Sequence, residues 1–135
     1  MAYGVESIYK GILFRSKLET RWAVYFDLMG FEWKYEPCTL DVMDGYRRVR
    51  YVPDFGVAFG GNYVGVEVKP SLIFESTKEI VAAARSGNID RVPKHVAALF
   101  IGLPFVIVFG EPMDRKFVCS EQVDVAPLFP WATAP

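Results

Sequence analysis

Residues 53–69 read Pro53-Asp54-Phe55-Gly56-Val57-Ala58-Phe59-Gly60-Gly61-Asn62-Tyr63-Val64-Gly65-Val66-Glu67-Val68-Lys69, and this stretch decides the fold. Phe55, Val57 and Phe59 alternate with small residues over 54–59, and Val64, Val66 and Val68 alternate with other residues over 63–69. A period of two is that of strands with one face in a core. If both apolar sets share one core, Asp54, Glu67 and Lys69 fall together on the opposite face. A two-residue turn at Gly61-Asn62 keeps the apolar sets together and pairs Gly60 with Tyr63, Gly56 with Glu67 and Asp54 with Lys69. Asp54 would then lie diagonal to Glu67, roughly 7–8 Å away between Cα atoms. Two acids side by side repel, and only a cation or a proton relieves that. The neighbours Gly56, Ala58 and Gly65 are small, which predicts an open face able to admit a bulky substrate. Hard oxygen ligands without His or Cys at metal spacing suit Mg²⁺ or Mn²⁺ rather than zinc. The same residues also describe an Asp–Lys–Glu cluster on a solvated sheet face, and geometry alone leaves both readings open.

Working outward, Leu18, Trp22, Tyr25, Phe26 and Met29 recur at helical spacing over 16–29, with Gly30 placed to end the helix. Phe31, Trp33 and Tyr35 alternate with Glu32, Lys34 and Glu36, a half-buried strand stopped by Pro37. Residues 39–42 and 46–52 flank Asp44-Gly45, a hairpin dipeptide that opens a meander. Ser76 and Glu79 have the form of a capping box for a helix closed by Gly87. A further helix is expected over 93–101, and 105–109 is a continuous apolar run suited to a strand covered on both faces. The tail after Glu111 is weakly patterned, with Pro127, Pro130 and Pro135 against long elements. The expected order is α, four or five strands, α, α, β, in one domain spanning 1–135.

Composition narrows the classes. The 135 residues are 52% hydrophobic and 23% charged, too apolar for a disordered chain. The longest apolar stretch, 96–109, is broken by Gly102 and Pro104, so no membrane span is expected. Residues 1–10 lack the pattern of a signal peptide, which places the expected location in the cytoplasm. Cys38 and Cys119 read as reduced, packed thiols. A net charge of −1 excludes a protein that coats nucleic acid by charge alone. Local basic clusters remain, one at Arg47, Arg48 and Arg50 and another at Lys10, Arg15, Lys17 and Arg21, either solvated faces or phosphate-contacting surfaces.

Pro53-Asp54 followed by Glu67-Val68-Lys69, with twelve residues between the acids, resembles the signature of the PD-(D/E)XK nuclease superfamily. Arg15-Ser16-Lys17-Leu18-Glu19, with Trp22 and Ala23, is similar to the superfamily helix that adds a further acid, particularly in transposon nuclease subunits and small phage nucleases. The resemblance covers residues 15–70. It implies a restriction-endonuclease-like α/β fold, a mixed central sheet flanked by helices with an αβββαβ core. It also implies that Glu19, Asp54 and Glu67 hold Mg²⁺ or Mn²⁺ with the Val68 carbonyl, and that Lys69 is the motif lysine of a DNA endonuclease.

Glu19 has a second reading, since Ser16-Lys17-Leu18-Glu19 is also a capping box. Glu36 reads as a solvent-facing strand residue, His95 as a surface residue, and Trp22, Phe26, Trp33 and Tyr35 as core. The expected partner is DNA, contacted by Arg15, Arg47, Arg48 and Arg50, with a homodimer as a further possibility. The alternative function is a DNA-binding module or subunit on the same fold that does not cut. No GxSxG elbow, phosphate-binding GxxxxGK[ST] loop or Cys–His spacing suggests other catalysis.

Overall fold

The computed structural model describes residues 6–89 and 91–133. The signal-peptide reading of the leading residues falls partly, and that of Pro135 wholly, outside these. Strands β1 (Ser7–Tyr9) and β2 (Ile12–Phe14) form a hairpin ahead of helix α1 (Lys17–Leu28) and strand β3 (Glu32–Tyr35). Strands β4 (Leu40–Asp44) and β5 (Arg47–Tyr51) pair only with each other. Strands β6 (Phe55–Phe59) and β7 (Asn62–Lys69) follow, then helices α2 (Phe74–Arg85) and α3 (Lys94–Ala97), then β8 (Phe105–Phe109) and β9 (Lys116–Cys119). The central sheet has the order β3-β6-β7-β8-β9 and is antiparallel except for the parallel pair β7·β8, a mixed α/β architecture.

Helix α1 starts and stops where its sequence directs. The Ser16 hydroxyl accepts the Glu19 amide at 3.1 Å. At the other end Gly30, at φ +78°, donates to the Asp27 carbonyl while Phe31 donates to that of Phe26, which satisfies the last carbonyls of the helix. The expected capping box of α2 does not form. Ser76 lies inside the first turn and donates to the Ile73 carbonyl at 3.1 Å, because a 3₁₀ turn over Ser71–Ile73 runs into the helix and starts it earlier.

The β6–β7 register differs from expectation by two residues. Phe59 pairs with Asn62, Gly56 with Gly65 and Phe55 with Val66, so the turn is Gly60-Gly61 and not Gly61-Asn62. Both glycines have positive φ, +58° and +80°, the requirement of the hairpin turn that matches strand twist, and two consecutive glycines meet it without steric cost. A shift of two preserves face parity, so the apolar sets stay together while Asp54 moves toward Glu67 instead of Lys69.

Both faces of the sheet are covered. On one, α1 packs Leu18, Trp22 and Phe26 against Phe55, Val57, Val64, Val66 and Val68. On the other, Phe105, Ile107 and Phe109 are buried with Val42 and Tyr51 of the β4–β5 ribbon, Val81 of α2 and Val96 of α3. The expectation of an open surface around the small residues is therefore corrected: a Cβ on Gly65 would meet the Phe105 ring at 2.7 Å, and one on Gly56 the Tyr63 hydroxyl at 2.3 Å. Strand β8 is buried throughout, as its unbroken apolar run requires. The tail holds more than its patterning suggested, namely β9 and the buried Val125, Leu128 and Phe129. Cys38 is exposed, against the reading of a packed thiol, while Cys119 packs half-buried against the first core; His95 is half-buried, against the reading of a surface histidine. Among the described residues no helix is long and apolar enough to cross a membrane.

Candidate functional site

Three elements bring acids to one place. Glu19 comes from the first turn of α1, Asp54 from the residue before β6, and Glu67 from β7; they are 4%, 3% and 7% exposed. The Asp54 amide donates to Glu67 Oε1 at 3.1 Å, and the Val68 amide donates to Asp54 Oδ2 at 2.8 Å. Lys69 Nζ stands 3.4 Å from Glu67 Oε2. Among these acids lies the Arg15 guanidinium, 2.8 Å from Asp54 Oδ1, 3.3 Å from Glu36 Oε2 and 3.7 Å from Glu19 Oε2.

Two tyrosines tie the acids down. Tyr51, at the end of β5, donates its O–H to Glu67 Oε1. Tyr35, at the end of β3, donates to Glu19 Oε1 at 3.0 Å. That Glu19 oxygen also accepts the Arg15 amide at 3.0 Å, so the carboxylate reaches back one residue beyond the Ser16 amide that a capping box would use. Glu36 adopts φ +48°, rare for a residue with a side chain, and its amide donates to the Asp54 carbonyl at 2.8 Å. It is exposed, as expected, and its carboxylate reaches the rim of the cluster through Arg15. Neither Tyr51 nor the contacts of Tyr35 were foreseen from sequence, since an aromatic at a buried strand position carries no local sign that its hydroxyl reaches an acid.

Burial dominates the electrostatics of the cluster. Burial first, and then the carboxylates of Glu67 and Glu19, push the Asp54 carboxyl up to about 9. Burial also raises Glu67, against the Tyr51 hydrogen bond and Lys69. Burial, followed by the Glu67 charge, drives the Tyr51 phenol far above its ordinary range, which keeps it a donor. Burial would lower the Arg15 guanidinium, but Tyr35, Asp54 and Glu19 outweigh it and hold it protonated.

Does this set fit a divalent metal? Among the described residues no group of three His, Cys, Asp or Glu stands close enough to form a ready cage. The donors nevertheless fit in kind and charge. All are hard carboxylate oxygens, each with a lone pair beyond its present hydrogen bond, and burial raises both Asp54 and Glu67, Asp54 further through its neighbouring carboxylates, a penalty that a bound cation would relieve. The Arg15 side chain, 60% exposed, is the cation now occupying that position.

The remaining expected residues separate. Val68 offers its amide to Asp54 while its side chain lies in the α1 core. Arg47 pairs with Asp44 at 3.6 Å at the tip of the ribbon, and Arg48 and Arg50 are exposed on its other face. The second basic cluster divides as well: Lys10 pairs with Asp27 and Arg21 with Glu111, so only Arg15 enters the acid cluster. No family model, curated protein or solved structure matches the chain.

Proposed function

We propose that the chain is a Mg²⁺- or Mn²⁺-dependent deoxyribonuclease of the PD-(D/E)XK kind, on a restriction-endonuclease-like fold. The observation that carries this reading is the convergence of three nearly buried carboxylates from three separate parts of the chain, Asp54 and Glu19 against Arg15 and Glu67 against Lys69. Burying like charges costs several kcal/mol per ion unless something compensates, so a cluster of this kind argues for a function and against an incidental solvated patch. The succession α1, β3, β6, β7, α2, β8 agrees with the αβββαβ core.

Glu19, Asp54 and Glu67 would hold the ion, with the Val68 carbonyl completing the set. When bound, the ion supplies Lewis-acid polarisation of a phosphate and a lowered pKa for an attacking water. The chain supplies the rest. Tyr51 and the Asp54 amide hold Glu67 Oε1, which leaves Oε2 as the atom facing Lys69. The Lys69 side chain offsets charge gathering on the phosphate oxygens. Arg15, released from the acids, has the planar fork that suits a phosphate.

A second reading, a DNA-binding module that does not cut, is favoured by one observation: Arg15 pairs with Asp54, Glu36 and Glu19 and so compensates acids that a cut would need for its ion. Linear, supercoiled, single-stranded and four-way-junction DNA, each with Mg²⁺, Mn²⁺ or EDTA, separates the two. Cleavage of at least one substrate with metal and none in EDTA is expected. Asp54→Asn should lower the rate by several orders of magnitude and abolish the rise in Tm that Mg²⁺ gives the parent at pH 8. Binding without cleavage under either metal would establish the second reading, and a parental rate in Asp54→Asn would remove this cluster as the active site.

A further inference from the structure

We propose that the β4–β5 ribbon is a DNA-engaging arm whose tip residue, Tyr46, stacks on an unpaired base, so that the substrate is DNA with a junction between duplex and single strand. The inference rests on the nuclease reading of the acid cluster and extends it to substrate structure.

The ribbon has two unlike faces. Val42, Val49 and Tyr51 pack on the second core, whereas Asp41, Met43, Arg48 and Arg50 are exposed on the other side. Arg50 lies across from Asp41 and Arg48 across from Met43, yet neither arginine makes an ion pair with a described residue. Two uncompensated guanidiniums two positions apart on an exposed strand suit successive phosphates. A two-stranded ribbon also has the width of the DNA major groove.

Tyr46 is 97% exposed in the turn, where small polar residues serve the backbone equally well. A large aromatic held outside the fold gains nothing from folding, and an unpaired base offers the flat surface it lacks. The tip is braced: Asp44 accepts both Nε and Nη2 of Arg91 at 3.2 Å and pairs with Arg47 at 3.6 Å. Bracing lowers the ordering cost of a contact made there.

At its other end the arm is joined to the acids by the Tyr51 hydrogen bond to Glu67 and by the short run to Asp54. Five residue steps separate Tyr46 from Tyr51, about 16 Å at roughly 3.3 Å per residue. At about 3.4 Å per nucleotide this places cleavage on the order of five nucleotides from the discontinuity.

The test compares a forked duplex, carrying 2-aminopurine at its first unpaired position, with a blunt duplex of the same sequence. Binding is measured in EDTA, so that no cutting is needed. The parent should prefer the fork about tenfold or more and quench the 2-aminopurine. Tyr46→Ala should lose both effects while keeping its blunt-duplex affinity. Replacing Arg48 and Arg50 together by Ala should weaken both complexes and reduce the salt slope by about two. Equal affinity for the two DNAs, or a preference retained in Tyr46→Ala, overturns the inference. Metal-dependent cutting without fork preference would leave the nuclease reading standing and remove the arm. Fork binding through Tyr46 without cutting under any metal would do the reverse. With Mg²⁺, cleavage should fall about five nucleotides from the fork in the parent and scatter in Tyr46→Ala.

Discussion

As a ligand under the proposed nuclease reading, Glu67 would have to be aimed as well as charged, and Tyr51 is placed to aim it. Its O–H shares Glu67 Oε1 with the Asp54 amide, so Tyr51→Phe leaves the carboxylate in place but free to turn. Loss of a hydrogen bond to a buried charged group costs about 1.5–3 kcal/mol, and removal of an outer partner of a metal ligand typically costs 10–100-fold in activity or metal affinity. A lower Tm in EDTA is expected, with cleavage that needs more Mg²⁺ to reach half its maximal rate. An unchanged Mg²⁺ requirement would show that Tyr51 only supports the core. At this scale Asp54, Glu67 and Lys69 were legible, because residue type and parity along a strand are local properties, whereas Glu19 entered only through the resemblance of its helix. Arg15 entered the reading as a phosphate contact, not as the partner of three carboxylates, since that position depends on how β2, α1 and β3 come together.

Among the elements, β6 and β7 show how a local rule fixes a face without fixing the partner. Alternation alone assigns the valines to the core, but Gly60-Gly61 and Gly61-Asn62 are both plausible turns and differ by two residues of register. The observed register places Gly65 beneath the buried Phe105 ring and Gly56 beneath the half-exposed Tyr63 ring. These neighbours predict different costs for the same substitution. Gly65→Ala pushes into a ring with nowhere to move and should lose about 1–3 kcal/mol by urea unfolding. Gly56→Ala should cost under about 1 kcal/mol, because the Tyr63 hydroxyl end can swing toward solvent and the added methyl reduces the entropy of the unfolded chain. Equal losses at the two positions would contradict this packing.

For the molecule as a whole, two titrations oppose each other. The Asp54 carboxyl, raised to about 9 by burial and its neighbouring acids, favours folding fully below the ordinary carboxyl range and loses that contribution as pH rises through 9. His95 is lowered to about 4, first by burial and then by the Lys69 charge. Its neutral form suits the fold, so its contribution is present above about 6.5 and is lost as pH falls through 4. In EDTA the two should offset each other between about pH 4 and 6.5, so that Tm stays level there and declines only above about 6.5, toward pH 9. His95→Gln should extend the decline down to about pH 4, and Asp54→Asn should remove it and leave Tm rising between about 4 and 6.5; parallel profiles for parent and variants would contradict both assignments.

The sequence by itself determined α1 with both its ends, the inward faces of β6 and β7, the doubly covered β8 and the grouping of Asp54, Glu67 and Lys69 on one side. Each follows from periodicity, capping or turn chemistry within a few residues. Only the tertiary structure decided that β4–β5 stands apart from the central sheet, that aromatic rings cover the face expected to be open, and that Arg15, Tyr35 and Tyr51 close around the acids. Those outcomes depend on contacts between residues far apart in the chain, such as Arg15 with Asp54 and Tyr51 with Glu67. Such contacts form because the elements offer complementary surfaces, and complementarity between distant segments leaves no periodic trace in either one.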